Sequence, residues 1–144
     1  MAVTAKVYGP ALGALAAGSI NFTSDTVKVM LATSSYAPDQ DAHDFKNDVT
    51  NEVSGTGYTA GGATLGSKTA NYSSGTNTLT LDAADVTWAA STITARYAVI
   101  YKDTGTASTS PLLAYVDFGA DVISSSGNFT ITWDAAGIVT LTTA

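Results

Sequence analysis

The residues that could perform acid, base or nucleophilic chemistry are few in this chain. It has one histidine, His43, and no cysteine. Histidine catalysis requires an oriented partner, and the sequence has no Gly-x-Ser-x-Gly nucleophile motif for His43 to serve. The lack of cysteine excludes a thiol nucleophile, a thiolate zinc site and a disulfide framework. We therefore expect a protein that is not an enzyme and that needs no cofactor.

The polar stretch around His43 also holds the best candidates for metal ligands. Asp39, Asp41, Asp44 and Asp48 supply closely spaced carboxylate oxygens, which calcium prefers. The spacing is not that of an EF-hand, because the central glycine and the terminal bidentate glutamate are missing. We expect a solvated acidic loop, and Asp39, Asp41 and Asp44 are the calcium candidates if the loop binds an ion.

Aromatic side chains could form a second kind of site, a platform for sugar rings. Trp88 and Trp133 fall on the inward positions of alternating segments, which favours packing in a core. Tyr36, Tyr58 and Tyr72 lie near predicted loops, so they are the better candidates for an exposed contact.

The composition limits the choice of partners. Twelve acidic and six basic residues give a net charge of −6, which repels a phosphate backbone, so we expect no nucleic acid partner. No segment approaches the roughly 20 apolar residues of a membrane span. Charged residues make up only 12% of the chain, and a neutral, hydroxyl-rich surface suits permanent contact with other subunits or with a sugar-like ligand.

The elements that must position these residues are mainly short strands. Gly9-Pro10 begins a short helix that Gly18 ends, and a polar loop occupies residues 36–54. Period-two alternation predicts strands at residues 25–31, 64–72, 78–81, 86–89, 96–102, 112–118, 129–133 and 138–143.

This pattern predicts an all-β fold, an antiparallel β-sandwich or barrel of roughly eight strands with one short N-terminal helix. Jelly-roll and immunoglobulin-like strand orders both fit the spacing. Alternation continues to the end of the chain, so we expect residues 1–144 to form one complete sandwich domain. Residues 1–6 carry no core pattern and are predicted to be an N-terminal arm.

Several motifs occur in a fixed order along nearly the whole chain. They are VYGP at 7–10, DTVKVML at 25–31, SYAPDQD at 35–41, GYTAGG at 57–62, DVTW at 85–88, ARYAVIY at 95–101, LLAYVDFG at 112–119 and FTITW at 129–133. This series resembles small virion structural proteins of tailed bacteriophages. The resemblance implies a structural protein of the capsid surface or tail, and it brings no catalytic residues with it.

A single domain with no coiled-coil stalk looks more like a capsid decoration (cement) protein than a fibre. The resemblance therefore implies a homotrimer on the outer capsid surface of the virion, assembled in the host cytoplasm and bound to the major capsid protein. A tail or baseplate subunit is the nearest alternative, and a carbohydrate-binding module is the alternative from another class. The predicted protein-contact residues are Val3, Lys6, Tyr8, Tyr36, Asp39, Phe45 and Tyr58.

Overall fold

The computed structural model describes residues 2–143. Within them it contains eight β-strands, one α-helix and two short 3₁₀-helices, at Lys46–Asp48 and Ala107–Thr109. The strands are β1 (Thr4–Val7), β2 (Val27–Ala32), β3 (Ala63–Thr64), β4 (Thr69–Ser73), β5 (Thr78–Asp82), β6 (Val86–Lys102), β7 (Leu112–Ile131) and β8 (Val139–Thr142), and the helix α1 is Gly9–Ala16.

The strands form two antiparallel sheets, which confirms the predicted all-β sandwich with its short N-terminal helix. The larger sheet has the order β1-β7-β6-β2-β3, and the smaller one has the order β4-β5-β8. The spacing of strands in the sequence had left this order open. No helix in the described part of the chain is long and apolar enough to cross a membrane.

Two long strands replace four predicted short ones. β6 and β7 pair along most of their length, and the serine- and threonine-rich segments that looked like turns are paired parts of this ribbon. The pairing register shifts at several points, and positive φ angles occur at Ala90, Gly119 and Ser126. These bulges bend the ribbon, so its apolar periodicity is interrupted although its backbone pairing continues.

The predicted strand at residues 64–72 is wrong in one respect, because it is two strands in different sheets. β3 pairs with β2, and β4 pairs with β5. Ser67 lies between them with a φ of 51°, a left-handed conformation that a regular strand does not have. The chain turns there and crosses from the larger sheet to the smaller one.

The core surrounds the centre of the larger sheet. Val29, Met30 and Leu31 follow one another in β2, and all three are buried, so both faces of this strand are covered. Tyr8 and Tyr36, which come from outside the sheets, belong to the same core. The polar loop at residues 36–54 thus packs on the sheet as part of the folded domain.

The predicted N-terminal arm is wrong for residues 4–6. Thr4–Val7 forms β1 and pairs with β7, with Thr4 opposite Asp117 and Val7 opposite Ala114. The sequence pattern misses this strand because it is short and mostly exposed, so backbone pairing rather than apolar burial holds it. Met1 lies outside the described residues.

Ion pairs on the larger sheet make stability sensitive to acid. Lys28 contacts Asp103 at 2.6 Å, and Arg96 contacts Asp117 at 2.6 Å. The hydrogen bonds donated by Lys28 and Arg96 are the main cause that holds the pKa of each aspartate below its ordinary value of 3.8.

We expect the free energy of unfolding to fall in acid. A carboxyl whose pKa is lower in the folded state stabilises the fold above its ordinary pKa, and this contribution is lost as the pH falls through the folded value. Urea unfolding at about pH 7 and about pH 2.5 measures the loss. An Asp103→Asn/Asp117→Asn double variant should show a smaller loss between the two pH values, and an equal loss would contradict the assignment.

Candidate binding cleft

An apolar cleft lies on one side of the sandwich, between the free edges of the two sheets. Its volume is about 690 Å³. The residues that line it come mainly from β1, β7 and the segment that leads into β8. They include Val3, Ala5, Lys6, Val7, Val116, Phe118, Val122, Phe129, Ile131, Trp133, Asp134, Ile138 and Thr140. Most of these side chains are apolar, so the cleft suits an apolar ligand surface.

The edge of β1 borders the cleft and has unpaired backbone groups. The N–H of Tyr8 donates to the carbonyl of Leu113, so Tyr8 is a hydrogen-bonded partner across the β1–β7 pair. Hydrogen-bonded and non-hydrogen-bonded pairs alternate along antiparallel strands. The backbone N–H and C=O groups of Lys6 and Thr4 therefore also point toward β7. The N–H and C=O groups of the intervening residues of β1, Ala5 and Val7, therefore point outward.

The loop at residues 36–54 closes one end of this edge. The side-chain amide of Gln40 donates to the outward carbonyl of Val7 at 3.1 Å. The N–H of Gly9 donates to the carbonyl of Gln40 at 2.8 Å. The open part of the β1 edge is therefore limited to the N–H and C=O groups of Ala5 and the N–H of Val7.

Exposed apolar side chains stand at the mouth of the cleft. Val3 is 63% exposed and Val122 is 42% exposed, and both line the cleft. Ile123 follows Val122 on β7 and is 68% exposed, but it does not line the cleft. The cleft thus continues into an apolar rim, an arrangement that marks protein contact sites.

The charges at the cleft are few and of both signs. Lys6 and Asp134 line it, and among residues 2–143 Lys6 forms no salt bridge. The lining therefore offers mainly apolar contact and backbone hydrogen bonds.

The predicted contact residues Tyr8 and Tyr36 are wrong, because both are buried in the core. Their hydroxyl groups contact each other at 2.9 Å, and the Tyr36 hydroxyl contacts Nδ1 of His43 at 2.9 Å. The backbone N–H of Asp39 also donates to this Nδ1, so Nδ1 is an acceptor. Tyr36 therefore donates to His43, and Tyr8 donates to Tyr36.

The direction of this hydrogen-bond chain predicts unequal effects of two variants. Tyr36→Phe leaves the buried Tyr8 hydroxyl without a partner, which we expect to cost about 2–3 kcal/mol. Tyr8→Phe removes a donor only, and Tyr36 still donates to His43, so about 1 kcal/mol is expected. Urea unfolding of both variants measures the difference. Equal losses, or a larger loss for Tyr8→Phe, would contradict the assigned direction.

Tyr58, the third tyrosine among the predicted contacts, is half-buried and bonded inside the domain. Its hydroxyl donates to a carboxylate oxygen of Glu52 at 2.8 Å and accepts from the N–H of Leu31 at 3.0 Å. Burial raises the pKa of Tyr58 far above its ordinary value, and the hydrogen bond to Glu52 adds to the rise. The Tyr58 hydroxyl thus links Glu52, in the loop at residues 36–54, to Leu31 of β2. The prediction of Tyr58 as an exposed contact is therefore also wrong.

Two carboxylates of the acidic loop bond to backbone N–H groups of the loop itself. The carboxylate of Asp39 accepts from the N–H groups of Asp41 and Ala42, as a turn-forming aspartate does. Asp48 in the same way accepts from the N–H groups of Asp44 and Phe45. Among residues 2–143 no three acidic or histidine side chains are placed to hold a metal ion.

The structure divides the other predicted contact residues between two places. Val3 and Lys6 lie together at the cleft. Phe45 is half-buried and pairs with Pro111 on another part of the surface, and Asp39 is exposed on the loop. The cleft residues of β7 and the segment after it were missed, because their alternating pattern is also that of an ordinary core.

Comparison of the chain with protein-family models, with curated proteins and with solved structures finds no match. The cleft is therefore interpreted from its own geometry and from the sequence motifs.

Proposed function

We propose that this chain is a structural subunit of a tailed-phage virion, which binds the outer surface of the capsid and bridges major capsid protein subunits. The observation that carries the proposal is the apolar cleft between two free sheet edges, with exposed valines at its mouth. The order of the sequence motifs, which resembles that of small virion proteins, is the reason for proposing a phage virion.

The shape and chemistry of the cleft favour a protein partner. Its rim continues into the exposed side chains of Val3 and Val122, so a ligand that fills it also contacts the surface around it. The unpaired backbone groups of β1 can be satisfied by another extended backbone, as in β-strand addition. An extended segment of a capsid subunit has both the apolar side chains and the backbone groups that this site requires.

The surface composition supports lasting contact with a shell. Only 12% of residues are charged, and several of the charges are paired within the domain. Burial of such a surface carries a small desolvation penalty. Contacts repeated over a symmetric capsid add through multivalency, so a modest interface per copy is enough.

The proposal assigns no reaction to the chain. Nδ1 of His43, the single histidine, is occupied by hydrogen bonds from Tyr36 and Asp39. The glycan alternative loses two of its three predicted tyrosines, since Tyr36 is buried and Tyr58 is bonded to Glu52, whereas Tyr72 is 58% exposed.

Binding to particles tests the proposal. Particles of the phage that encodes the chain, assembled without it, are mixed with purified protein and sedimented. We expect saturable binding at a fixed ratio to the major capsid protein and a rise in the temperature at which the heads open. Binding to isolated tails but not to heads would overturn the capsid assignment and favour the tail or baseplate alternative.

A further inference from the structure

The smaller sheet extends beyond the core that it covers. Leu81 of β5 pairs with Val139 of β8, and both side chains are buried. Two residues further along the same face, the next cross-strand row consists of Tyr72, Leu79 and Leu141. In this row Tyr72 is 58% exposed and Leu141 is 37% exposed. The far end of the sheet therefore presents an apolar row to solvent, which we call the Tyr72 row.

A hydrogen bond orients the tyrosine of this row. The Tyr72 hydroxyl donates to Oδ1 of Asn77 at 3.2 Å, so the ring leans toward the turn between β4 and β5. The side-chain N–H groups of Asn77 donate no hydrogen bond within residues 2–143. The turn at residues 73–77 has the sequence Ser-Ser-Gly-Thr-Asn. An exposed and oriented aromatic ring is thus bordered by amide and hydroxyl groups.

The strands that form the Tyr72 row carry no charge. Residues 69–81, which include β4, the turn and most of β5, contain no charged side chain, and neither do residues 135–144 around β8. An ionic ligand would lose hydration here without gaining an opposite charge, which is unfavourable. The surface therefore suits a neutral ligand that can use the amide and hydroxyl groups beside the ring.

The size of the row favours a sugar ring over a protein surface. A large aromatic side chain buries at most about 250 Å², so the exposed part of Tyr72 supplies about 150 Å² and each leucine supplies less. This total is well below the roughly 800 Å² that each partner contributes to a stable protein interface. One tyrosine face is large enough to pack on the apolar face of a sugar ring.

We propose that the Tyr72 row binds a neutral glycan, with one sugar ring stacked on Tyr72 and its hydroxyl groups bonded to Asn77 and the turn. Neighbouring strands are about 4.8 Å apart, so the row spans about 10 Å from Tyr72 to Leu141 and also contacts the adjoining sugar. The three side chains of the row lie outside the lining of the apolar cleft. The site thus goes beyond the proposed function and does not depend on it.

Affinity electrophoresis of the purified chain tests the proposal. Native gels are cast with a neutral polysaccharide, namely dextran, laminarin, galactomannan or hydroxyethylcellulose, or with the anionic dextran sulfate. We expect at least one neutral polysaccharide to retard the chain in proportion to its concentration, and dextran sulfate to leave its mobility unchanged. Retardation in none of the neutral gels, or in dextran sulfate alone, would overturn the proposal.

Variants of Tyr72 separate stacking on the ring from general apolar contact. Tyr72→Leu keeps an apolar side chain but has no ring, so Kd for the retarding polysaccharide should rise about tenfold. Tyr72→Phe keeps the ring and loses the hydrogen bond to Asn77, so a rise of about threefold is expected. Leu12→Ala, a change at a 49% exposed side chain of α1, is the control and should stay within about twofold. Equal affinity of Tyr72→Leu and the native chain would overturn the proposal.

Binding to capsid particles distinguishes this site from the proposed capsid contact. Tyr72→Leu should bind particles that lack the chain within about twofold of the native protein, because Tyr72 lies outside the cleft lining. Loss of particle binding by Tyr72→Leu, with unchanged retardation by the polysaccharides, would assign the row to a protein contact and overturn the glycan proposal. Retardation that depends on the Tyr72 ring would support the proposal even if the native chain did not bind capsids.

Discussion

Val122→Asp should weaken binding of the protein to capsid particles by about 100-fold or more. Loss of one buried valine costs about 1.5 kcal/mol, and an unpaired carboxylate in the apolar cleft adds a desolvation penalty of about 1–3 kcal/mol. The side chain is 42% exposed in the free protein, so the fold should tolerate the change. Titration of labelled protein with particles lacking the chain measures the effect.

Ile123→Asp is the control for this experiment. Ile123 is the next residue of β7, is more exposed than Val122 and lies outside the cleft lining. We expect its binding to stay within about twofold of the native protein, because surface substitutions away from a contact have small effects. Equal weakening by the two variants would show that the whole of this β7 segment, and not the cleft, carries the contact.

Gly62→Ala should prevent folding or lower the free energy of unfolding by more than about 4 kcal/mol. Gly62 has a φ of 79°, and an added Cβ would overlap the carbonyl oxygen of Val29 and approach Cα of Met30 to 2.7 Å. Both contacts are backbone atoms of the buried strand β2, so they cannot move aside as a flexible side chain could. Urea unfolding measures the loss. If no soluble variant protein is obtained, the yield of folded protein is compared with that of the native chain.

Gly18→Ala separates the crowding at Gly62 from the cost of the backbone conformation. Gly18 has a similar φ of 75°, but nothing lies within 4 Å of its added Cβ. We expect a loss of about 1 kcal/mol, which is the ordinary cost of a non-glycine residue in the left-handed region. Similar losses at the two glycines would mean that the contact with β2 contributes little.

The elements that the sequence predicts well are those in which side-chain pattern and backbone pairing agree. Val27, Val29 and Leu31 alternate in a β-rich run, and this run is β2. Pro10 near the start and Gly18 after the end correctly place the helix. In both cases local signals decide the structure without information from distant residues.

The prediction errors occur where pairing with residues far away in the sequence determines the structure. The segments 90–95 and 119–128 are rich in small and polar residues, yet they pair with each other in the long β6–β7 ribbon. β1 is held by its pairing with β7; Val3, Ala5 and Val7 alternate with Thr4 and Lys6, but the segment is short and mostly exposed, so the signal was missed. A single strand pattern contains no information on its partner, so the pairing in either case could not be predicted from local sequence.

The prediction of Tyr8 and Tyr36 as contact residues was wrong for a related reason. Tyr8 follows the predicted arm and Tyr36 begins the predicted polar loop, which favours an exposed position, but the fold brings their hydroxyl groups together in the core. His43 then supplies the acceptor that allows both hydroxyl groups to be buried. Val3 and Lys6 do lie at the cleft, although both were predicted to belong to an arm and Lys6 is in fact part of β1.

Cryo-electron microscopy of the intact virion tests the proposed function most directly. The account predicts density for this chain at symmetry-related positions on the outer capsid, with the cleft between β1 and β8 against a segment of a major capsid protein subunit. Density for the chain in the tail only, or on the capsid with the cleft facing solvent, would contradict it.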